Sequence, residues 1–266
     1  PGDGGGECDG GIDTTIKVYV NPTPRLSVSI SDTIFCDSSQ IIINVNDLIG
    51  NVRGEKLYLL NTNNANGKVI GLQFSGYYSF GTDIVNKLVN ITDTVQKVSY
   101  TFTPLIKTGK KYCNNGYDTT ISIYVEPTPK VNLIPDNDTI CTGLITSFKI
   151  TSQTSSYNRL RFKYEVKFDT SKVKIHFGNN NYNMHKYDEI RDTVINITEE
   201  PQRIYLIITP YLIDKDSNEV CIGVKDTSII WIVPQLKVRV DSISKYKART
   251  PELIKNIRCY GEKNGF

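Results

Sequence analysis

At 266 residues the chain can bury two hydrophobic cores of ordinary domain size and still carry a segment at each end. Its hydrophobic fraction of 39% supports globular packing, and no apolar run approaches the roughly 20 residues needed to cross a bilayer. The net charge of +3 is mild and the lysines are scattered, so the basic, aromatic-interleaved patch of a nucleic-acid binder is missing.

The chain opens at Pro1 with neither a Met nor a charged-then-apolar signal region, so any targeting segment is expected upstream. In chain order, Thr15–Val20, Leu26–Ile30, Gln40–Val45, Lys56–Leu60, Lys68–Phe74, Ile84–Ile91 and Lys97–Thr103 are short and rich in β-branched and aromatic residues. Asn, Gly and Asp clusters such as Asn61–Gly67 separate them, which predicts strands joined by turns. No segment has a sustained, capped helical period; Pro251–Ile257 comes nearest and is short.

The phrase Cys8–Asp9–Gly10 … Asp13–Thr14–Thr15–Ile16–Lys17–Val18–Tyr19–Val20–Asn21–Pro22–Thr23–Pro24 returns as Cys113 … Gly116–Tyr117–Asp118–Thr119–Thr120–Ile121–Ser122–Ile123–Tyr124–Val125–Glu126–Pro127–Thr128–Pro129. The interval of about 105 residues is the length of one β-sandwich domain. Asp32–Thr33–Ile34–Phe35–Cys36 against Asp138–Thr139–Ile140–Cys141, and Ser99–Pro104 against Tyr205–Pro210, set its phase. The spacing predicts one repeat over residues 21–127, a second over 128–234, the last strand of a preceding repeat in residues 1–20, and a different segment from residue 235 to 266. Seven or so strands per repeat without helices predict an all-β chain of tandem Ig/PKD-like Greek-key sandwiches. Two prolines in each connector predict short, semi-rigid extended links and a linear rod.

Six cysteines sit at matching phases, none in a CxxC pair, and two histidines cannot complete zinc sites with them. Disulfides in an oxidising compartment, and hence export, are the expectation. Pairing within repeats, Cys36–Cys113 and Cys141–Cys221, would leave Cys8 and Cys259 to partners elsewhere. Against it, the two turns concerned lie at opposite ends of a linear sandwich, too far apart for the ~5.5 Å Cα separation of a bridge. The alternative, Cys8–Cys36 and Cys113–Cys141, would require the proline connectors to be hairpin turns.

The pattern Asp–Thr–Ile–x–Cys, Tyr–Thr–Phe–Thr–Pro, Cys–(x)n–Gly and Thr–Ile–x–Val–x–Pro–Thr–Pro resembles the PKD-like repeats of very large cell-surface proteins of Bacteroidota, over nearly all of residues 1–234. The second repeat departs from it where Trp231 and Val233–Pro234–Gln235 stand. Ile257–Gly265, with Cys259–Tyr260–Gly261 and Asn264–Gly265, is similar to the opening of the SprB repeat of the gliding-motility adhesin. The resemblance implies export by the type 9 secretion system, attachment to the outer membrane and display in a long filament or adhesin. Its implied partners are neighbouring repeats, the secretion and gliding machinery, and surface polysaccharide. Composition and charge give no reason to expect membrane insertion or nucleic acid, and no cofactor is expected apart from calcium.

Several motifs could carry chemistry. Asp–(Ser/Thr) triplets begin at Asp13, Asp32, Asp93, Asp118, Asp138, Asp192 and Asp241. They suit turns with side-chain to backbone hydrogen bonds, and they also resemble the O-glycosylation acceptor of Bacteroidota, which would modify Thr14, Thr33, Thr94, Thr119, Thr139, Thr193 and Ser242. Asn90–Ile91–Thr92, Asn137–Asp138–Thr139 and Asn196–Ile197–Thr198 fit the N-glycosylation pattern, which is common by chance in such a composition. Asp214, Asp216 and Asn218 alternate oxygen side chains as calcium ligands do, although the loop lacks the glycine and terminal glutamate of an EF-hand; Asp136–Asn137–Asp138 is a second such candidate. His176 and His185, with Asp188, are the one grouping suited to acid–base or metal chemistry, and no nucleophile motif accompanies them. Tyr77, Tyr78 and Phe80 form the one compact aromatic cluster, which suits a core as well as a carbohydrate. The chain therefore reads as a non-catalytic spacer of an adhesin, with accessory modules of a secreted hydrolase as the alternative.

Overall fold

The computed structural model describes residues 10–156, 158–176 and 180–237. The expectations for Cys8, Ser242, Cys259, the Pro251–Ile257 segment and the SprB-like opening lie outside the described residues.

The first unit runs through β1 (Leu26–Ile30), β2 (Ile34–Phe35), β3 (Gln40–Asp47), β4 (Glu55–Asn63), β5 (Val69–Ile70), β6 (Gly76–Ser79), β7 (Ile84–Lys87), β8 (Val89–Asn90), β9 (Gln96–Thr108), β10 (Lys111–Cys113) and β11 (Thr119–Val125). The second runs through β12 (Asn132–Pro135), β13 (Thr139–Cys141), β14 (Ile145–Thr151), β15 (Leu160–Lys167), β16 (Val173–Ile175), β17 (Asn180–Met184), β18 (Glu189–Asn196), β19 (Gln202–Ile213), β20 (Glu219–Ile222) and β21 (Asp226–Val233). Among the described residues there is no helix.

In the first unit a sheet ordered β1-β3-β7 faces one ordered β2-β11-β9-β4-β6, with β10 extending the edge of β9. In the second, β12-β14-β18-β16 faces β13-β21-β19-β15-β17, with β20 on β19. Every strand pair is antiparallel except β2 with β11 and β13 with β21, where the first strand crosses to the opposite sheet and runs beside the last. Both units are immunoglobulin-like Greek-key sandwiches, and the chain is a tandem pair of them.

Period-2 alternation drives this folding. In β3 Ile41, Ile43 and Val45 point inward while Ile42 and Asn44 point out, the pattern of a sheet with one dry face. The two cores are separate. Tyr58, Leu60, Tyr100, Phe102, Ile123 and Val125 centre one; Phe148, Phe162, Ile204, Leu206, Ile230 and Ile232 centre the other.

Three strand expectations change. Ile84–Ile91 divides at Leu88 into β7, which pairs β3, and β8, which pairs β5. Lys68–Phe74 is strand only at β5, and Gly76–Ser79, unassigned from the sequence, is the strand that pairs β4. Thr15–Val20 forms no strand. It has the right residues but no neighbour on which to build a ladder; Ile16, Val18 and Val20 are exposed, whereas Ile123 and Val125 in the repeated phrase are fully buried.

The recurring Asn–Ile–Thr phrase proves to be structural at both of its occurrences. Asn90 Nδ2 donates to the Val125 and Thr94 carbonyls at 2.9 and 2.8 Å, and its Oδ1 accepts from the Thr92 amide and hydroxyl. Asn196 repeats the arrangement with Ile232, Glu200 and Thr198. Each pins the turn before the long strand β9 or β19 to the end of the last strand. The amide nitrogen a glycan would occupy is thus committed, and both side chains are buried. Replacing Asn196 with Ala takes their side-chain partner from the Ile232 carbonyl and the Thr198 amide and is expected to cost about 1–3 kcal/mol in urea unfolding, whereas Asn137→Ala, at an exposed position, stays within about 0.5 kcal/mol.

Three core tyrosines make stability sensitive to alkali. The Tyr58 hydroxyl donates to the Thr82 carbonyl at 2.7 Å and Tyr100 to Asn86 Oδ1 at 2.8 Å. Burial pushes the Tyr58 phenol up to about 12, with the charges of Tyr78 and Asp83 adding to it; burial raises Tyr100 too, and burial followed by Asp192 raises Tyr164. In the unfolded chain these phenols ionise near 10. Stability is therefore expected to be level below that pH and to fall as pH rises through the folded-state values. A series of denaturant unfolding curves checks this, with a smaller alkaline loss in Tyr100→Phe.

Candidate functional site at the junction between units

The described surface concentrates its long-range chemistry where the two units meet. Each sandwich has a leading end, where the chain comes in, and a trailing end, where it leaves. The connector Glu126–Lys130 passes between the trailing end of the first unit and the leading end of the second, and its Glu126, Pro127 and Pro129 are buried. It is not a solvated spacer.

Glu126 is 1% exposed. Its Oε1 accepts from Arg159 Nη1 and its Oε2 from the Ser156 hydroxyl at 2.6 Å. Arg159, at the start of β15, also donates through Nε to the Ile213 carbonyl at 2.6 Å. A buried carboxylate is tolerable only when its charge and lone pairs are answered in this way. The β14–β15 loop wraps the connector further: the Lys130 amide donates to Thr154 Oγ1 at 2.9 Å and the Ser152 hydroxyl to the Lys130 carbonyl at 2.6 Å. Ser152, Thr154 and Ser156 are all buried.

Across the same boundary Thr128 donates to the Asp37 carboxylate, Lys130 Nζ to Asp93 at 2.7 Å, and the Ser155 amide to the Asp93 carbonyl at 2.9 Å. Thr94 and Ser155 form an isolated parallel bridge. Gly223 lies against Pro129, so that a side chain there would overlap the Pro129 carbonyl.

The junction is also covalent. Cys36, just past β2, is disulfide-bonded to Cys221 on β20, with Cα atoms 5.3 Å apart and 185 residues between them in sequence. This corrects both expected schemes. Cys36–Cys113 and Cys141–Cys221 do not form, and neither do Cys8–Cys36 and Cys113–Cys141. Cys113 is free and exposed, and Cys141 is disulfide-bonded elsewhere. The reason is positional. Phe35 lies level with Val125 and so with Gln96 of β9, while Cys113 lies level with Ile106 of β9. At about 3.3 Å per residue those levels stand on the order of 30 Å apart. Trailing and leading ends of one sandwich cannot meet; those of successive sandwiches do.

The other expected sites resolve individually. Asp214 Oδ1 accepts from the Asp216 and Asn218 amides at 2.9 and 2.8 Å, and Oδ2 from Asn218 Nδ2 at 3.0 Å. The Asn218 hydrogen bond, foremost among these, holds the Asp214 carboxyl below its ordinary value. Asp214, Asp216 and Asn218 thus close a turn, and among the described residues no group of three or more His, Cys, Asp or Glu could hold a metal ion. His176 directly follows β16, and its amide donates to Asp192; His185, in the β17–β18 turn, stands 3.8 Å from Asp188 and lines an open polar cavity of about 700 Å³ with Arg161, Lys186 and Tyr187. Tyr78 stacks on Tyr58 at 5.7 Å and Phe80 packs on the core, while Tyr77 faces outward against Tyr112 at 5.9 Å. The aromatic cluster is therefore divided between inside and outside. Trp231 is half-exposed beneath Arg203.

Of the acceptor-like triplets, Thr14, Thr33, Thr94 and Thr139 are exposed and Thr119 and Thr193 half-buried. Asp32 closes a turn, its Oδ1 accepting from the Thr33 and Ile34 amides, whereas Asp192 lies within β18, its Oδ1 accepting from the Thr193 amide and its Oδ2 from the His176 amide.

No protein family and no curated protein matches the chain. Among solved structures, it is similar to the D00–D0 domain of intimin at 12% identity and a TM-score of 0.38, over 77% of this chain and 99% of that one. The Escherichia coli adhesin FdeC matches at 13% identity and 0.39, over 81% of this chain and 66% of that one. Three N-terminal domains of the outer capsid protein Hoc of bacteriophage RB49 match at 12% and 0.39, over 80% and 70%.

Glu126→Gln removes the charge that answers Arg159, whose side chain keeps about a quarter of its surface exposed. That exposure places the expected loss at about 2–3 kcal/mol, the lower side of the range for breaking a buried pair. The measurement is the urea midpoint of the oxidised chain, with Lys167→Gln, which touches an exposed pair, as a control staying within about 0.5 kcal/mol.

Proposed function

We propose that the chain is a non-catalytic, force-carrying segment of an exported cell-surface filament or adhesin, spacing and presenting binding regions that lie elsewhere in the protein. The observation that carries this reading is the junction: a disulfide, a buried ion pair and a walled-in proline connector fix one unit on the next. A binding module needs no such fixation. A spacer under tension does, because an articulated joint would let the presented region collapse onto the surface it must clear.

The inter-unit disulfide belongs to an oxidising compartment, which supports an extracellular, surface location. The resemblance to the PKD-like and SprB-type repeats supports the finer assignment: type 9 secretion, outer-membrane attachment and a part in gliding motility or adhesion, with surface polysaccharide as a candidate target. The exposed threonines Thr14, Thr33, Thr94 and Thr139 suit O-glycosylation in that setting, as do the less open Thr119 and Thr193.

Two measurements test the proposal. Small-angle scattering of the oxidised chain is expected to give an elongated two-lobed particle that gains flexibility in Cys221→Ser; a compact envelope would sink the rod. In cells, an in-frame deletion of residues 21–234 is expected to weaken surface attachment or spreading while secreted hydrolase activity stays level. Loss of polysaccharide or protein hydrolysis with attachment unchanged would move the assignment to accessory modules of an enzyme.

A further inference from the structure

The first unit carries at its own leading end the residues with which the second unit grips the first. Asn21 occupies the place of Glu126 and answers the backbone of Arg53, which stands shortly before β4 as Arg159 stands before β15: Asn21 Nδ2 donates to the Arg53 carbonyl at 2.8 Å and Oδ1 accepts from the Arg53 amide at 2.9 Å. The Arg53 guanidinium lies over the Tyr19 ring. Thr23 and Arg25 stand where Thr128 and Lys130 meet Asp37 and Asp93. Gly116 lies against the Pro24 carbonyl as Gly223 does against Pro129. Cys113 sits on β10, on the sheet edge that β20 and Cys221 occupy in the second unit.

Two features of this end have no partner of the kind their counterparts have. The Cys113 thiol is free and exposed, while Cys221 is bonded to Cys36 of the unit before it. Independently, Asp13–Val20 repeats the sequence of β11 but exposes Val18 and Val20, where β11 buries Ile123 and Val125, and Ile16, where β11 half-buries Ile121. One occupant satisfies both. A sandwich of this same kind, lying N-terminal in the same polypeptide, would take Asp13–Val20 as its last strand. Its trailing end would then meet Cys113, with a first cysteine at the place of Cys36 and acidic residues at the places of Asp37 and Asp93 facing Thr23 and Arg25.

We propose that Cys113 is half of a second inter-unit disulfide, made with the first cysteine of an immunoglobulin-like unit that precedes Asn21 in the same polypeptide. In forming it the two thiols lose two protons and two electrons to a disulfide-bearing oxidant by thiol–disulfide exchange, and that oxidant leaves as a dithiol. On this proposal the bond that Cys36 makes to Cys221 is repeated one unit earlier, so the two bridges staple successive junctions in register. The proposal rests on the exported-array reading for its oxidising compartment and for the existence of the preceding unit.

The full-length protein, taken from cells with its free thiols alkylated at harvest, is digested with trypsin without reduction and mapped by mass spectrometry. Peptide Leu26–Arg53 linked to Asp216–Lys225 reports the Cys36–Cys221 bond and serves as the internal standard. The expected result is that Tyr112–Lys130 is linked to a cysteine peptide from outside residues 1–266, and that the link is lost on reduction. Cys113 alkylated while Cys36–Cys221 is intact overturns the proposal and leaves the exported array standing. Cys113 joined to Cys8, to Cys259 or to Cys113 of a second molecule also overturns it. Alkylation of Cys36, Cys221 and Cys113 together overturns both readings.

Discussion

The separation of the two ends of a sandwich governs how this chain can be tied together. A strand as long as β9 holds its ends tens of ångströms apart, and no side chain spans that distance. The parallel crossing of β2 onto β11 delivers Cys36 to the trailing end, and the short β10 and β20 strands hold their cysteines at the leading end. Once those positions are set, a disulfide within a unit is sterically barred, and stacking end to end makes one between units unavoidable in an oxidising medium. Cross-linking is thereby converted from a way of stabilising one fold into a way of joining two.

The polar chemistry of the junction follows from the same stacking. Bringing two sandwich ends together buries the connector, and a buried connector must have its backbone and side chains satisfied. Ser152 and Thr154 of the β14–β15 loop do this for Lys130, and Arg159 with Ser156 does it for Glu126. The prolines limit the connector's freedom before it docks; the ion pair, the hydrogen bonds and the disulfide fix its place afterwards. A salt bridge in such a position is weak evidence of net stability, but it discriminates strongly against misdocked arrangements, in which a desolvated carboxylate would face no cation.

Repetition misleads as well as informs. Asn–Ile–Thr recurs because each sandwich needs one buried amide to tie the turn before its long strand to the end of its last strand, and the pattern coincides with a glycosylation signal only in its letters. Asp32–Thr33 is a turn closure in the same sense, while Asp93 is taken up by Lys130 and Asp192 by β18. By contrast, Arg159 gave no hint of a role, since a lone arginine before a strand has no periodicity and its acidic partner Glu126 lies in the connector. Tyr77, Tyr78 and Phe80 split between core and surface because alternate residues of a strand face opposite ways.

By itself the sequence determined the all-β class, the two units, most strand positions and the phase of the cysteines, because alternation, turn residues and a long repeat are local or one-dimensional signals. The tertiary structure alone decided which cysteines meet, that Glu126 is buried on Arg159, that Asp214 closes its own turn and that Asp13–Val20 stands without a ladder. Each of these depends on which ends of which sheets lie against one another. That is a property of how two folded bodies stack, and no local propensity encodes it.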